Sequence, residues 1–327
     1  MRLGRGTPRE LASAMSDAVC VVHLVRHGNP PAWLERFLDS YRDHDAGADH
    51  RLVLLWKGFP AGTPPAAGLE SLAGLAAQHV HVPDDGYDLT AYHRAAARLD
   101  GAVLCFLNSH SAILAAGWLA RLRDALTPSV GLVGATASWN SAHSTARYLL
   151  HIPGAYDEVF PDRAEYLRES RRLPDDGRAD DGSGPMSRPP LRYVRTASTL
   201  GRALALFPPF PAEHVRTNGF LLRRETMLRL RIPVVRRKLA AWRLESGRGS
   251  ITEQVRAMGL DAVVAGRDGR VYRPPEWAAS DTLWQADQAN LLIADNHTER
   301  YRLGDFALRA LLSKMAWGAQ ARPVPPS

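Results

Sequence analysis

Asn108, Ser109 and His110 are polar residues that end an unbroken apolar run, Gly101–Leu107. Apolar runs without alternation are typical of strands buried on both faces of a parallel sheet. Ligands of such sheets bind outside the carboxyl ends of the strands. The run therefore predicts that these three side chains face a ligand. The alternative is that Asn108 and Ser109 only cap a following helix, as Asn and Ser often do.

Several other common kinds of site are not expected, because the sequence lacks the motifs that form them. The two cysteines, Cys20 and Cys105, form no CxxC pair, so neither a thiolate zinc site nor a disulfide framework is expected. The chain also has no G-x-x-x-x-G-K phosphate loop and no dinucleotide fingerprint.

The chain is basic, with 41 Lys and Arg residues against 34 Asp and Glu residues and a net charge of +7. Such a surplus suits phosphorylated substrates, anionic lipid surfaces or nucleic acid. The arginines are not interleaved with aromatic residues in a stripe, so we do not expect a nucleic-acid partner. No apolar stretch suits a signal peptide or a membrane span. These features predict a cytoplasmic protein, with peripheral contact at the inner face of the membrane as an open alternative.

Apolar runs alternate with helical patterns in the first half of the chain. The predicted strands are Val19–Val25, Arg51–Trp56, Val80–Val82, Gly101–Leu107 and Val130–Ala135. Helical spacing of apolar residues is found at 33–41, Leu69–Gln78, 92–99 and 118–126. This order predicts an α/β fold with a Rossmann-like, mostly parallel sheet flanked by helices and joined by right-handed crossovers.

The second half is predicted to be a mixed region. Ordered structure is expected at Val215–Leu222, a helix at Lys238–Leu244, and a flexible joint at Glu245–Ser250. A strand over Leu260–Ala265 is followed by Asp268-Gly269, a typical hairpin turn.

Three stretches resemble a known family in their order and spacing. The first runs from the apolar strand and its polar tip through Gly117-Trp118-Leu119 to a Val-Gly strand, Leu104–Ala135. The second, Thr217–Glu225, has a small-residue turn, a strand and an Arg-Arg pair, and the third is Glu245. Together they resemble the nucleotide-diphosphate-sugar glycosyltransferases of the A-type fold, especially the inverting family 2.

The resemblance implies transfer of a sugar from a nucleotide-diphosphate sugar to an acceptor hydroxyl. The acceptor would be a glycan, a lipid-linked or a small molecule, in surface glycan or glycolipid assembly. Glu245 lies where the family has its acidic acceptor-side residue, and an inverting transfer needs a carboxylate as base. The alternative is a catalytically inactive member of the fold that binds a nucleotide sugar or a protein partner.

The resemblance also divides the chain. It implies an N-terminal extension (1–18), a nucleotide-sugar-binding half (19–135) and an insertion with a mobile loop at 175–185 (136–214). An acceptor-side half with a C-terminal helix (215–320) and a tail (321–327) complete the chain.

The implied donor-binding residues follow successive strands. Arg26 and His27 follow the first strand, where Arg suits bidentate phosphate binding, and Asp84, Asp85 and Asp88 would hydrogen-bond the base or ribose. Solvated loop side chains are the alternative for all five. The remaining implied donor residues are Asn108, Ser109 and His110.

The implied acceptor-side residues are Asn218, Gly219, Arg223 and Arg224. At most one of the two adjacent arginines is expected to neutralise phosphate. His297 lies in a late loop that could fold back over the donor, or it is structural.

The family's metal-binding Asp-x-Asp is replaced by Asn108-Ser109-His110. Mg²⁺ and Mn²⁺ prefer carboxylate oxygens, so the usual metal site is not expected. A Mn²⁺ or Mg²⁺ ion held mainly by the donor diphosphate, with His110 or His297 as a single protein ligand, stays open.

Overall fold

The computed structural model describes residues 19–60, 72, 74–172 and 189–326, and side chains throughout these ranges except at 189–197. The predicted N-terminal extension and the predicted mobile loop at 175–185 lie outside the described residues. Residues 69–71 and 73 of the predicted helix Leu69–Gln78 also lie outside the described residues. Where the stretch is described, no α-helix forms, and Ala77 and Gln78 instead begin a strand.

Strands occur in both halves of the described chain. They are β1 (Val19–Arg26), β2 (His50–Lys57), β3 (Ala77–Val82), β4 (Val103–Leu107), β5 (Ala112–Ile113), β6 (Val130–Gly134), β7 (Ala137–Ser138), β8 (His214–Val215), β9 (Gly219–Arg223), β10 (Asp261–Ala265), β11 (Val271–Tyr272) and β12 (Ile293–Ala294).

The main sheet has eight strands in the order β11-β10-β6-β9-β4-β1-β2-β3. Strands β3, β2, β1 and β4 are parallel, and so are β6 and β10. Strand β9 is antiparallel between β4 and β6, and β11 pairs antiparallel with β10. The predicted mostly parallel α/β sheet and the hairpin turn at Asp268-Gly269 are confirmed.

Helices cover the faces of the sheet. They are α1 (Pro31–Asp43), α2 (Asp88–Ala96), α3 (Trp118–Asp124), α4 (Ala142–Leu149), α5 (Arg163–Ser170), α6 (Pro189–Leu206), α7 (Arg224–Arg229), α8 (Lys238–Ser246), α9 (Ile251–Ala257), α10 (Asn296–Leu303) and α11 (Phe306–Trp317). Short 3₁₀ helices occupy Pro274–Ala279 and Gly318–Gln320. None of the described helices has the length and apolar character needed to cross a bilayer.

The central strand β4 packs on both faces, as its sequence predicts. On one face Phe106 packs against Tyr92 of α2 and Phe220 of β9, with ring centroids 4.7 and 5.2 Å apart. On the other face Leu107 joins a core cluster with Trp118 of α3. Burial on both faces explains the continuous apolar run.

The segment after β4 differs from the prediction. It does not continue directly into a helix, because Ala112–Ile113 forms β5 and pairs with β12. Helix α3 begins only at Trp118, after Gly117 at φ 70°. The alternative that Asn108 and Ser109 cap that helix is therefore wrong.

The ordered stretch expected at Val215–Leu222 consists of the end of β8, the turn before Gly219 and most of β9. One prediction in the second half needs correction. Glu245 and Ser246 belong to the last turn of α8 and not to a flexible joint. Glu245 is thus held by helical backbone.

Candidate functional site

A cleft of about 460 Å³ lies at the carboxyl ends of β1 and β4, beside the turn that precedes β9. We call it the main cleft. The residues predicted from sequence that line it are Arg26, Asp88, Asn108, Ser109, His110, Asn218, Glu245 and His297. They come from distant parts of the chain, so the fold brings the predicted donor and acceptor sides together.

Arg26 at the end of β1 takes part in an ion-pair network. Its guanidinium is 3.4 Å from Asp84, which also lies 3.1 Å from the ammonium of the buried Lys57. Lys57 is in turn 3.7 Å from Asp88, the first residue of α2. Asp84 therefore orients Arg26 and compensates Lys57, while Asp88 reaches the main cleft itself.

The other two loop residues lie apart from the main cleft. Asp85 forms a two-pronged ion pair with Arg94 of α2, which holds the pKa of Asp85 below its usual value. His27 lines a smaller adjoining pocket of about 200 Å³ together with Ser109 and Phe59. The His27 and Phe59 rings are 5.2 Å apart, edge to face.

The tip after β4 is a tight turn closed by Asn108. Its Oδ1 accepts hydrogen bonds from the backbone N–H of His110 at 2.9 Å and from the Ser111 hydroxyl at 3.2 Å. The His110 ring packs on Trp33 of α1, with centroids 3.9 Å apart. The amide oxygen of Asn108 is thus engaged inside the turn.

Asn218 forms the wall of the cleft before β9. Its Oδ1 accepts from the Thr136 hydroxyl at 2.6 Å, and its backbone carbonyl accepts from Ser111 at 3.1 Å. Its Nδ2 is buried and has no hydrogen-bond partner among the described residues. Gly219 packs behind it, where a Cβ would come within 3.1 Å of Ile293. Asn218 can therefore donate to a ligand, while Gly219 serves packing.

Glu245 lines the main cleft beside the turn that carries Asn218. Its Oε1 accepts a hydrogen bond from the backbone N–H of Thr217 at 3.1 Å, which ties α8 to the turn before β9. The other carboxylate oxygen remains as an acceptor. Below it, burial lowers the pKa of His214 to about 4, although Glu245 acts in the opposite direction. His214 is therefore neutral near neutral pH.

Arg216 lines the main cleft together with Asn218 and Asp295, although it was not predicted from the sequence. Its guanidinium lies 5.4 Å from the centroid of the Trp284 ring, and its Nε is buried without a hydrogen-bond partner among the described residues. Its position directly before the Thr217-Asn218-Gly219 turn was the signal that could have identified it. Arg216 therefore adds a cation to the lining of the main cleft.

Asp295 is the buried carboxylate of the cleft. Its Oδ1 caps α10 by accepting from the N–H groups of His297 and Thr298, and its Oδ2 is buried without a partner among the described residues. Burial raises its pKa, but His297, Arg216 and the capping groups lower it more, so the pKa lies below the usual aspartate value. Asp295 is therefore a charged acceptor at the cleft.

Arg223 and Arg224 do not reach the main cleft. Because β9 is antiparallel, Gly219 lies beside the end of β4 and Arg223 beside its start. Arg223 donates to the carbonyls of Val130, Leu126 and Thr127, and Arg224 donates to the carbonyl of Ala96. The prediction that one of them neutralises a bound diphosphate is wrong, because both lie at the opposite edge of the sheet.

No family model and no curated protein sequence matches this chain. Among solved structures, glucosyl-3-phosphoglycerate synthase from Mycobacterium tuberculosis, with Mn²⁺, UDP and glucosyl-3-phosphoglycerate, is 16% identical with a TM-score of 0.39; the match covers 81% of this chain and 75% of that one. A mannosyltransferase from Pyrobaculum calidifontis with GDP-Man and Mn²⁺ is 21% identical with a TM-score of 0.30, covering 36% and 34%. GalNAc-T7 with UDP, GalNAc and Mn²⁺ is 21% identical with a TM-score of 0.26, covering 32% and 20%. These similarities are low, and we base the functional proposal on the side chains of the site.

The side chains of the site do not fit a carboxylate metal centre. Among the residues that the structure describes, no three or more His, Cys, Asp or Glu side chains are grouped so that they could hold a metal ion. The tip carries no carboxylate, and Asn108 Oδ1 already accepts two hydrogen bonds. Mg²⁺ requires near-octahedral oxygen ligands, usually carboxylates and water. We therefore derive no chemical step through a metal.

Proposed function

We propose that this protein binds a nucleotide-diphosphate sugar in the main cleft and transfers the sugar to an acceptor hydroxyl with inversion. The observation that carries the proposal is that Glu245 lines the same cleft as Arg26, Asn108 and Asn218. A carboxylate that can act as base thus faces the end of the sheet where ligands of parallel α/β folds bind.

The proposed reaction uses Glu245 as general base. Its carboxylate accepts the proton of the acceptor hydroxyl as the hydroxyl oxygen bonds to the anomeric carbon. The bond from that carbon to the phosphate oxygen breaks, and its electron pair leaves with the nucleoside diphosphate. The products are an inverted glycoside, protonated Glu245 and the nucleoside diphosphate.

Cationic side chains of the cleft compensate the charge of the leaving diphosphate in this proposal. Arg26, Arg216, Lys238 and Arg300 all line the main cleft. Arg suits this task because its planar guanidinium binds phosphate in a bidentate manner. Asn218 Nδ2 adds a neutral donor, and Asp295 can accept from a sugar hydroxyl.

The nucleoside would lie toward the end of β1. The smaller pocket beside His27 and Ser109 opens there, and Asp88 lines the adjoining part of the main cleft. We place the base or ribose at these residues. The proposed setting is glycan or glycolipid assembly in the cytoplasm, with a glycan, lipid-linked or small-molecule acceptor.

The second candidate is a catalytically inactive scaffold that binds a nucleotide sugar or a protein partner. It is favoured by the tip, where Asn108 and His110 supply no carboxylate and the Asn108 oxygen closes a turn. Glu245 favours the enzyme instead, because it supplies the carboxylate that an inverting transfer needs as base.

Thermal unfolding of the full chain with millimolar UDP, GDP, dTDP and their sugars tests donor binding. A ligand at 100 times its Kd should stabilise the fold by roughly 2.7 kcal/mol. If none of these compounds raises the Tm, the enzyme and the nucleotide-sugar-binding scaffold both fail, and the scaffold that binds a protein partner is left.

Release of the nucleoside diphosphate then separates the two candidates. A donor that binds should be converted to free nucleoside diphosphate when alcohols or sugars are added as acceptors, and Glu245→Gln should abolish that gain. Donor binding with no acceptor-dependent release would favour the scaffold.

A further inference from the structure

A second cavity of about 460 Å³ lies on the far side of α8 from the main cleft. We call it the apolar chamber. Its walls include Ala146, Leu200, Ala203, Phe207, Leu312 and Met315, from α4, α6 and α11 and the residues beside them. Phe207, Ala203 and Ala146 form one buried hydrophobic cluster, so this wall is part of the packed core.

The apolar chamber and the main cleft share one boundary. Both are lined by Arg216, Lys238, Trp242, Glu245, His297 and Arg300. Among the described lining residues, Glu245 is the only carboxylate of the chamber, and each Asp, Glu, Lys or Arg there also lines the main cleft. The charge is thus concentrated at the boundary, and the rest of the chamber is uncharged.

Helix α8, which lines both cavities, has no fully buried residue. Its Leu239 and Leu244 are half-buried against the core, whereas Ala240 and Trp242 are exposed. Trp242 is 47% exposed and lines both cavities. A helix of nine residues is marginal by itself, so an apolar ligand in the chamber would complete its packing.

Trp284 forms another wall of the chamber in a strained backbone conformation. Its φ is 46°, and Asp281, Ala286 and Gln288 also have positive φ values. Trp284 is fixed by hydrogen bonds from its Nε1 to the His297 carbonyl at 3.0 Å and from its N–H to the Gln288 side chain at 3.1 Å. Bulky residues adopt such φ values only at an energetic cost, and such residues cluster at binding sites.

We infer that the apolar chamber holds the body of the acceptor, and that this acceptor is a molecule with a large apolar part and a hydroxyl group. This inference rests on the proposed function. The apolar part would fill the chamber, and the hydroxyl would lie at the shared boundary beside Glu245. Away from the boundary, the lining residues other than Asn140, Thr145, Thr199, His214 and Ser246 are apolar. A bare sugar or a phosphorylated small acid placed against these apolar side chains would leave some of its polar groups without partners, which opposes its binding.

A homologous series of n-alkanols, from 1-butanol to 1-decanol, tests the chamber. Binding to the full chain is measured by calorimetry, with quenching of tryptophan fluorescence as a second readout. Each added CH₂ group should raise the affinity about 3- to 4-fold until the chamber is full. Affinity that does not change with chain length would overturn the inference.

Two variants locate the binding. Leu200→Trp adds bulk inside the chamber and should weaken 1-octanol binding about 10-fold or more. Leu228→Trp adds the same bulk on α7, where Leu228 is 37% exposed and lies outside both cavities, and should leave the affinity unchanged. Equal losses in the two variants would contradict binding in the chamber. If Leu200→Trp does not fold, Met315→Lys tests the same wall with a charge.

Nucleotide binding is measured on the same samples. Nucleotide binding without any alkanol binding would overturn this inference and leave the proposed function standing. Alkanol binding without nucleotide binding would refute the proposed function and, with it, the assignment of the chamber to an acceptor. We expect both ligands to bind, with Leu200→Trp affecting only the alkanol.

Discussion

The two edges of the central sheet use arginine in different ways. At the carboxyl-end edge, Arg26 and Arg216 line the main cleft, and the Nε of each is buried without a hydrogen-bond partner among the described residues. At the amino-end edge, Arg223 donates to three backbone carbonyls in the loop 126–130, and Arg224 donates to the carbonyl of Ala96. The first pair keeps donor capacity for a ligand, whereas the second pair holds loops in place.

This difference shows that residue type does not by itself indicate a phosphate site. Strand direction decides it, since β9 runs antiparallel and takes its Arg-Arg pair away from the cleft while leaving Asn218 beside it. If this comparison is correct, substitution of an arginine at the carboxyl-end edge should change nucleotide affinity, whereas substitution at the amino-end edge should change thermal stability.

Substitution of Glu245 is expected to have the largest effect, a loss of acceptor-dependent turnover. Glu245→Gln keeps the shape and can still accept from the Thr217 N–H, but removes the base, so acceptor-dependent turnover should fall about 10²–10⁴-fold with donor affinity nearly unchanged. Steady-state kinetics and calorimetry measure the two effects. Glu253→Gln is the matched control, because Glu253 accepts from Gly249 and lines neither cavity. If Glu245→Gln transfers sugar at the parent rate, Glu245 is not the base.

The next prediction compares one arginine from each edge, Arg216 and Arg223. Arg216→Gln should weaken nucleotide binding about 10- to 100-fold, because a charged hydrogen bond to phosphate contributes about 1.5–3 kcal/mol. Arg223→Gln should lower the Tm and leave the nucleotide affinity unchanged. Calorimetric titration and thermal unfolding of both variants measure this, and equal loss of nucleotide affinity would remove the distinction between the edges.

A smaller effect, on the pH dependence of folding stability, is expected from His23, a buried residue of β1 below the carboxyl-end edge. It stacks on Phe37 with ring centroids 3.7 Å apart, and both ring nitrogens lack partners among the described residues. Burial, with a smaller effect of His110, lowers the pKa of His23 to about 3. Since the unfolded chain takes up a proton near pH 6.5 and the folded chain does not, this contribution to stability is complete above that pH. It falls by up to about 1.4 kcal/mol for each pH unit below it.

His23→Phe should therefore flatten the loss of stability between about pH 6.5 and pH 4.5. Urea unfolding of parent and variant across this range measures the slope. His214, whose pKa is lowered to about 4, should keep part of the slope in the variant. Identical slopes would show that His23 is not held neutral in the fold.

The smallest effect is expected from metal removal. Because the tip carries no carboxylate, nucleotide affinity should change less than about threefold on addition of EDTA. Calorimetric titration with EDTA and then with excess Mn²⁺ tests this. A rise of about a hundredfold with Mn²⁺ would show that His110 or His297 works through a metal held by the diphosphate.

Local sequence determined the strands and the polar tip of the first half. Residues 103–107 are apolar without interruption because β4 is buried on both faces, and such a pattern can be read without knowing the neighbours. Likewise, Asp268-Gly269 encodes a hairpin turn through its own backbone preferences. These features depend on interactions close in sequence or on burial alone.

Only the tertiary structure decided which polar residues meet. Arg223 and Arg224 lie away from the cleft because β9 runs antiparallel to β4. Asp85 also lies away from it, in an ion pair with Arg94. Arg216 and the walls of the apolar chamber come from segments far apart in the chain, so no local pattern in the sequence predicts their approach. The periodicity of apolar side chains predicts which residues are buried. The contacts that each residue makes depend instead on strand order and on packing between segments far apart in the chain.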